Sequence, residues 1–252
     1  MQPSFSQRVC AVLLLSLAVG SARADELIVS AAASLTNAFK ALGPVFEAQH
    51  PGTQVLFNFA ASDALVQQIA KGAPVDVFAS ADQEAMDAAQ AQQLLAAGTR
   101  QNFVGNSLVL IVPADSTLAI ASVADLAQPA VKRVAVGNPA SVPVGRYTRH
   151  ALEQARLWSA VEPKAIYAQS VRQGLDYVAR GEVDAGFVYS TDAAAQKAKV
   201  RVVSTVPTEA AIRYPIAATA SSQHGELARQ FIDFTVSATG QALLGQHGFL
   251  KP

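Results

Sequence analysis

The chain has 252 residues, 51% of them hydrophobic and 15% charged, with a formal net charge of zero. That is too apolar and too weakly charged for a disordered chain, and long enough for one large domain or two lobes. It has no basic run to make the cationic face of a nucleic-acid binder, and its 12 Pro and 15 Gly follow no fibrous repeat.

The predicted elements begin with a leader. Arg8 gives a positive start, Ala11 to Val19 an apolar run and Ala22-Arg23-Ala24 a small-x-small site. Together they read as a secretory signal peptide over residues 1–24, cut after Ala24. A membrane anchor is the weaker reading, because the run is shorter than the ~20 residues that span a bilayer. Cys10, the only cysteine, precedes the apolar run; it is not placed for lipidation and leaves with the leader. The mature chain, Asp25 to Pro252, then holds 17 basic against 19 acidic residues, a charge of −2. Without disulfides it depends on its core, and no other apolar stretch reaches membrane length.

Strands and helices then alternate. Glu26 to Ser30 predicts a strand, and Leu35, Phe39, Leu42 and Phe46 predict a helix that Gly43-Pro44 should break or kink. Val55 to Phe59 predicts a strand and Leu65 to Lys71 a helix stopped by Gly72. Val75 to Ala79 is the next strand, followed by a helix over Gln83 to Ala97 stopped by Gly98. Leu108 to Val112 is a strand closed by Pro113. Further on come strands at Arg133–Val136, Ala185–Val188 and Arg201–Val203, with helices from Gly145, Val171 and Thr191. This alternation predicts βαβ units and largely parallel sheets. Leu227, Phe231 and Phe234 mark one terminal helix and Leu243-Leu244 another, both expected to cover the first lobe. The chain is expected to cross between lobes near Asn102–Leu108 and Arg213–Ala217.

In such sheets, ligands sit at the carboxyl ends of strands. The loops there are Ala31-Ala-Ala-Ser34, Ala60-Ala-Ser-Asp63, Pro139 to Gly145 and Gln169-Ser-Val-Arg172, built mainly from small and apolar residues. Each leads into a helix whose first N–H groups are free, so several together form an anion site without Lys or Arg. Taken singly, Ser34 and Ser62 read first as simple helix N-caps, and the case for a binding role rests on the loops as a set. No G-x-G-x-x-G, G-x-x-x-x-G-K-[ST], H-E-x-x-H or G-x-S-x-G motif is present. His50, His150, His224 and His247 are scattered away from these loops and read as surface residues, so no Ser-His-Asp site is expected. Asp76 and Asp184 read as caps or loop hydrogen-bond acceptors, and no metal-ligand spacing stands out. Tyr189 ends a strand; its phenol could donate to a ligand or simply pack. Trp158, the sole tryptophan, reads as core.

Ala31-Ala-Ala-Ser-Leu-Thr-Asn-Ala38 resembles the opening of the periplasmic molybdate-binding proteins, the ModA family. Phe59 to Ser62, Gly72 to Asp82, Gly105 to Leu108, Ala135 to Pro139, Val142 to Gly145, Val171-Arg172, Gly186 to Asp192 and Gly248-Phe249 are similar to family blocks in family order. The resemblance implies an α/β, two-lobed type II periplasmic binding fold. It implies lobe 1 at residues 25–105 plus 214–252 and lobe 2 at 106–213. It implies a monomer in the periplasm that carries molybdate or tungstate to the membrane permease and ATPase of an ABC importer, with no catalytic residues and no cofactor. By matched position, Ser34 and Ser62 would give hydroxyl and N–H donors, Val144 and Val171 backbone N–H donors, and Tyr189 its phenol. Three departures stand out. Val144 replaces a smaller residue. Ser170 replaces an acid that could pair with Arg172. Asp63 follows Ser62 where a small polar residue is common; it is expected to point outward and cap its helix. A donor-only site suits a fully ionised dianion and disfavours an oxyanion carrying an O–H. The alternatives are another tetrahedral oxyanion such as sulfate, an exported hydrolase using Ser34 or Ser62 as nucleophile, and a binding module that docks on a sensor.

Overall fold

The computed structural model of the chain describes residues 25–252; the expected signal peptide, its cleavage point and Cys10 lie outside them. The first half builds β1 (Asp25–Ala32), α1 (Thr36–Gln49), β2 (Thr53–Ala60), α2 (Ser62–Ala70), β3 (Val77–Ala79), α3 (Gln83–Ala91) and β4 (Gln101–Asn106). The chain then enters a second sheet with β5 (Leu108–Pro113), β6 (Val134–Gly137), α4 (Pro143–Gln154), α5 (Trp158–Val161), β7 (Ala165–Ala168), α6 (Val171–Ala179), β8 (Ala185–Tyr189), α7 (Ser190–Ala195) and β9 (Val200–Val206). It returns through β10 (Ile212–Ala218), α8 (Gly225–Val236) and α9 (Ala238–Gln246).

Each lobe is one five-stranded sheet flanked by helices, ordered β2-β1-β3-β10-β4 and β7-β6-β8-β5-β9. Three strands in each sheet form parallel pairs. One strand, β10 or β5, runs antiparallel to both of its neighbours. The other four therefore point the same way, and both sheets are mostly parallel. The reversed strands are those that follow the crossings. Ser107 alone separates β4 from β5, and residues 207–211 carry the chain back to β10.

The first lobe packs around aromatic rings. Phe39 meets Phe57, Phe103 and Phe231 at centroid separations of 5.9 Å, and Phe46 meets Phe231 at 5.2 Å. Full burial of each such ring stabilises by roughly 1.5–3 kcal/mol. Phe231 lies on α8, so the terminal helix is clamped onto the first lobe, as its periodicity predicted.

Helix α1 does not break at Gly43-Pro44. Lys40, whose carbonyl loses its partner to Pro44, lies with Pro44 on the exposed face, where water can satisfy it. Gly43 faces inward: a Cβ there would stand 2.8 Å from the Phe57 ring. Helix α3 stops short of Gly98. Gln93 takes φ 57°, and Leu94 N–H donates to Ala89 O while Gln93 N–H donates to Gln90 O, a Schellman end built without glycine. Trp158 is half-buried rather than core, with the Arg149 guanidinium 5.7 Å from its ring centroid.

Candidate functional site

The carboxyl ends of β1, β2, β6, β7 and β8 meet where the two sheets face each other. A small cavity of about 10 Å³ lies there, roughly the room of one water-sized sphere. Its lining includes all five residues singled out from the sequence: Ser34, Ser62, Val144, Val171 and Tyr189. The rest of the lining is Ala, Val and Pro, with no charged side chain and no histidine.

Four helix starts supply the cavity's donors. Ser34 lies in a single turn of 3-10 helix, Ala33–Leu35, that leads into α1; Ser62 and Val171 are the first residues of α2 and α6, and Val144 is the second of α4. Backbone N–H groups at these positions have no acceptor within their own helix and carry partial positive charge. The α4 start sits hard against β6: a Cβ on Gly145 would collide with Gly137 O. Glycine is therefore required for Val144 to reach the cavity edge.

Ser34 and Ser62 are not N-caps. The cap positions belong to Ala32 and Ala61, and neither helix start has a side-chain cap. Their hydroxyls are engaged elsewhere. Ser62 Oγ accepts the Ala81 N–H at 3.0 Å, which leaves its proton to turn toward the cavity. Ser34 Oγ lies 2.9 Å from the Tyr214 hydroxyl. The Tyr189 hydroxyl is buried and has no hydrogen-bond partner among the described residues. Burial pushes the Tyr189 phenol well above its ordinary pKa, with Tyr214 and Tyr147 adding to the effect, so it stays a protonated donor.

Asp63 points away from the cavity, as expected, but it does not cap α2. It takes two hydrogen bonds from Arg146 of α4, at 3.2 and 2.8 Å. Arg146 also reaches Asp82 at 2.9 and 2.6 Å. Its Nε also lies 3.3 Å from the exposed Glu84 carboxylate, so one buried guanidinium of the second lobe meets three carboxylates of the first. Burial raises the Asp82 pKa, and Arg146 works against that rise. Burial would lower the Arg146 pKa, but its hydrogen bonds to Asp63 and the charge of Asp82 carry it upward instead. Sequence reading missed this bridge, because its members lie 64 and 83 positions apart.

Arg172 does find an acid despite Ser170. Its Nε lies 2.6 Å from Oδ1 of the fully buried Asp192, while Ser170 caps α6 by accepting Gln173 N–H at 3.2 Å. Asp76 and Asp184 are loop acceptors, taking Ile28 N–H at 2.8 Å and the Lys132 and Arg133 N–H groups at 2.7 and 2.8 Å. None of the four histidines lines the cavity. Among the described residues there is no cluster of His, Cys, Asp and Glu able to hold a metal ion, and no helix long and apolar enough to cross a membrane.

Two α/β lobes that face each other across a small cavity lined by serine, tyrosine and helix starts are the architecture of a solute-binding protein. The chain belongs to the bacterial extracellular solute-binding protein family, whose model matches residues 27–250, and within it to the ModA relatives. It is 36% identical to the molybdate-binding protein ModA of Escherichia coli over 93% of this chain and 94% of that protein. It is 38% identical to the ModA of Mycobacterium tuberculosis over 91% and 86%. The solved periplasmic molybdate-binding protein of Azotobacter vinelandii has a TM-score of 0.77 at 26% identity, covering 90% of this chain and 99% of that one.

Proposed function

We propose that this protein captures molybdate, and tungstate with it, outside the cytoplasm and delivers the ion to the permease and ATPase of an ABC importer. Ser34 and Ser62 donate hydroxyl and backbone protons, Val144 and Val171 donate N–H groups, and Tyr189 donates its phenol. Residues 25–105 plus 214–252 act as one lobe and 106–213 as the other, in a monomer that closes over the ion. Export follows from a leader cut after Ala24.

One observation carries the reading: the orphaned hydroxyl of Tyr189, buried in a cavity whose polar groups are donors. An unpaired buried donor costs about 1–3 kcal/mol, and an anion removes that cost. A dianion in this cavity meets no opposing carboxylate. An oxyanion that keeps an O–H meets few acceptors, because the Ser62 and Ser34 oxygens are already engaged by Ala81 N–H and Tyr214.

A thermal unfolding series tests it. A ligand that binds only the folded state at 100 times its Kd adds about 2.7 kcal/mol of stability. Molybdate and tungstate at millimolar concentration should raise the midpoint by several degrees, and hydrogen phosphate should leave it in place. A midpoint indifferent to both metal oxyanions would remove the assignment.

A further inference from the structure

Ser34 could present either its proton or a lone pair to the cavity, and the choice is made behind it. Asn106, the last residue of β4, has its amide fixed: Oδ1 accepts the Ser107 N–H and the Ser190 hydroxyl, both at 2.9 Å. A backbone N–H can only donate, so the opposite edge of the amide is Nδ2. That Nδ2 donates to Thr191 Oγ1 at 3.0 Å and to the Tyr214 hydroxyl at 3.3 Å. Tyr214 is fully buried, and its only other hydrogen-bond partner among the described residues is Ser34 Oγ at 2.9 Å. Having accepted from Asn106, the Tyr214 hydroxyl must give its one proton to Ser34. The reverse order would leave the tyrosine proton buried with no acceptor.

We propose that Asn106 and Tyr214 are positioning residues that fill one lone pair of Ser34 and so turn its proton toward the cavity, through the ordered chain Asn106 to Tyr214 to Ser34 to oxyanion. Neither touches the ion. Their work is specificity: a hydroxyl without a donor behind it offers both lone pairs to the O–H of a protonated oxyanion, and this one has spent one of them on Tyr214 and is biased toward donating. Successive hydrogen bonds polarise one another, so the chain also strengthens the last bond to the ion. It starts at the crossing between lobes, because Ser190 and Thr191 belong to α7 of the second lobe while Asn106, Tyr214 and Ser34 belong to the first. Movement of the lobes would disturb the polarity of Ser34 together with the shape of the cavity.

The proposal rests on the oxyanion-binding reading, and a double-mutant cycle separates the two. Binding of molybdate and of inorganic phosphate is measured by calorimetry for the wild-type protein, Tyr214→Phe, Ser34→Ala and the double variant, each checked for an unchanged unfolding midpoint without ligand. Tyr214→Phe should weaken molybdate about fivefold in the wild-type background. In the Ser34→Ala background it should change affinity by less than about twofold, because the relay has nothing left to act on. Phosphate, weak or silent in the wild-type titration, should gain affinity relative to molybdate in Tyr214→Phe, so that the lower bound on their ratio narrows. If that variant loses its fold, Asn106→Asp replaces it: a carboxylate draws the tyrosine proton backward and frees Ser34 to accept. Its loss of molybdate affinity should then be larger with Ser34 present than with alanine there, which separates reversal from added charge. Equal losses in both backgrounds, or an unchanged ratio, would overturn the relay while leaving the binding site intact. Wild-type protein that binds neither oxyanion would instead overturn the reading beneath it.

Discussion

A buried phenol without a partner weakens the protein that carries it, so Tyr189 should show opposite signs in two measurements. Tyr189→Phe removes an unpaired donor, and the unfolding midpoint of the ligand-free protein should hold or rise. The same change should weaken molybdate binding by roughly 1–3 kcal/mol, and Ser34→Ala should do likewise. Undiminished affinity in both variants would show that neither hydroxyl meets the ion. Gly145 makes a steric prediction: Gly145→Ala drives a methyl into Gly137 O and should cost about 1–3 kcal/mol of stability by chemical denaturation. At this scale the sequence was informative about which residues face the cavity, since Ser34, Ser62, Val144, Val171 and Tyr189 line one space. It was silent on what lies behind them. The Ser34–Tyr214 contact joins positions 180 apart, a separation no local pattern encodes.

Between elements, the decisive contact is α4 against the starts of α2 and α3. Arg146 satisfies Asp63 and the buried Asp82 together, and removal of one member of a buried ion pair costs about 3–5 kcal/mol because the other charge is left without a partner. Arg146→Met should therefore lose stability on that order in urea titrations, and Asp82→Asn in the same chain should recover part of it. An unchanged urea midpoint for Arg146→Met would mean that the bridge does not hold the lobes. Asp192 gives a pH prediction. Burial lifts its pKa from 3.8 to about 6, against the pull of Arg172. The folded chain then holds a proton that the unfolded chain releases, so this group's contribution is full below about pH 4 and is lost as pH rises through 6. From pH 7 to pH 5 the wild-type protein should gain stability relative to Asp192→Asn. Element types were mostly legible, and the exceptions have local causes. Pro44 is tolerated because its helix face meets water. Strand β7 escaped notice because four residues with Ile166 and Tyr167 exposed make a poor pattern. Helix α3 ends on Gln93, a residue that carries no stop signal.

For the molecule as a whole, alternating strands and helices pointed correctly to α/β layers with largely parallel sheets, and the ordered blocks that resemble the ModA family pointed to two lobes and to the solute-binding family. The reversed strands β5 and β10 were not legible, because a strand's direction depends on where the chain crosses between sheets and not on its own residues. The helix starts that contribute Ser34 and Ser62 belong to the first sheet, and those that contribute Val144 and Val171 to the second. A ligand held by both should favour closure. That this site binds a fully ionised tetrahedral oxyanion is tested most directly by calorimetric titration of residues 25–252 at neutral pH with molybdate, tungstate and sulfate. One-to-one binding of molybdate and tungstate is the predicted result. Binding of sulfate alone, or no heat from any of the three, would contradict it.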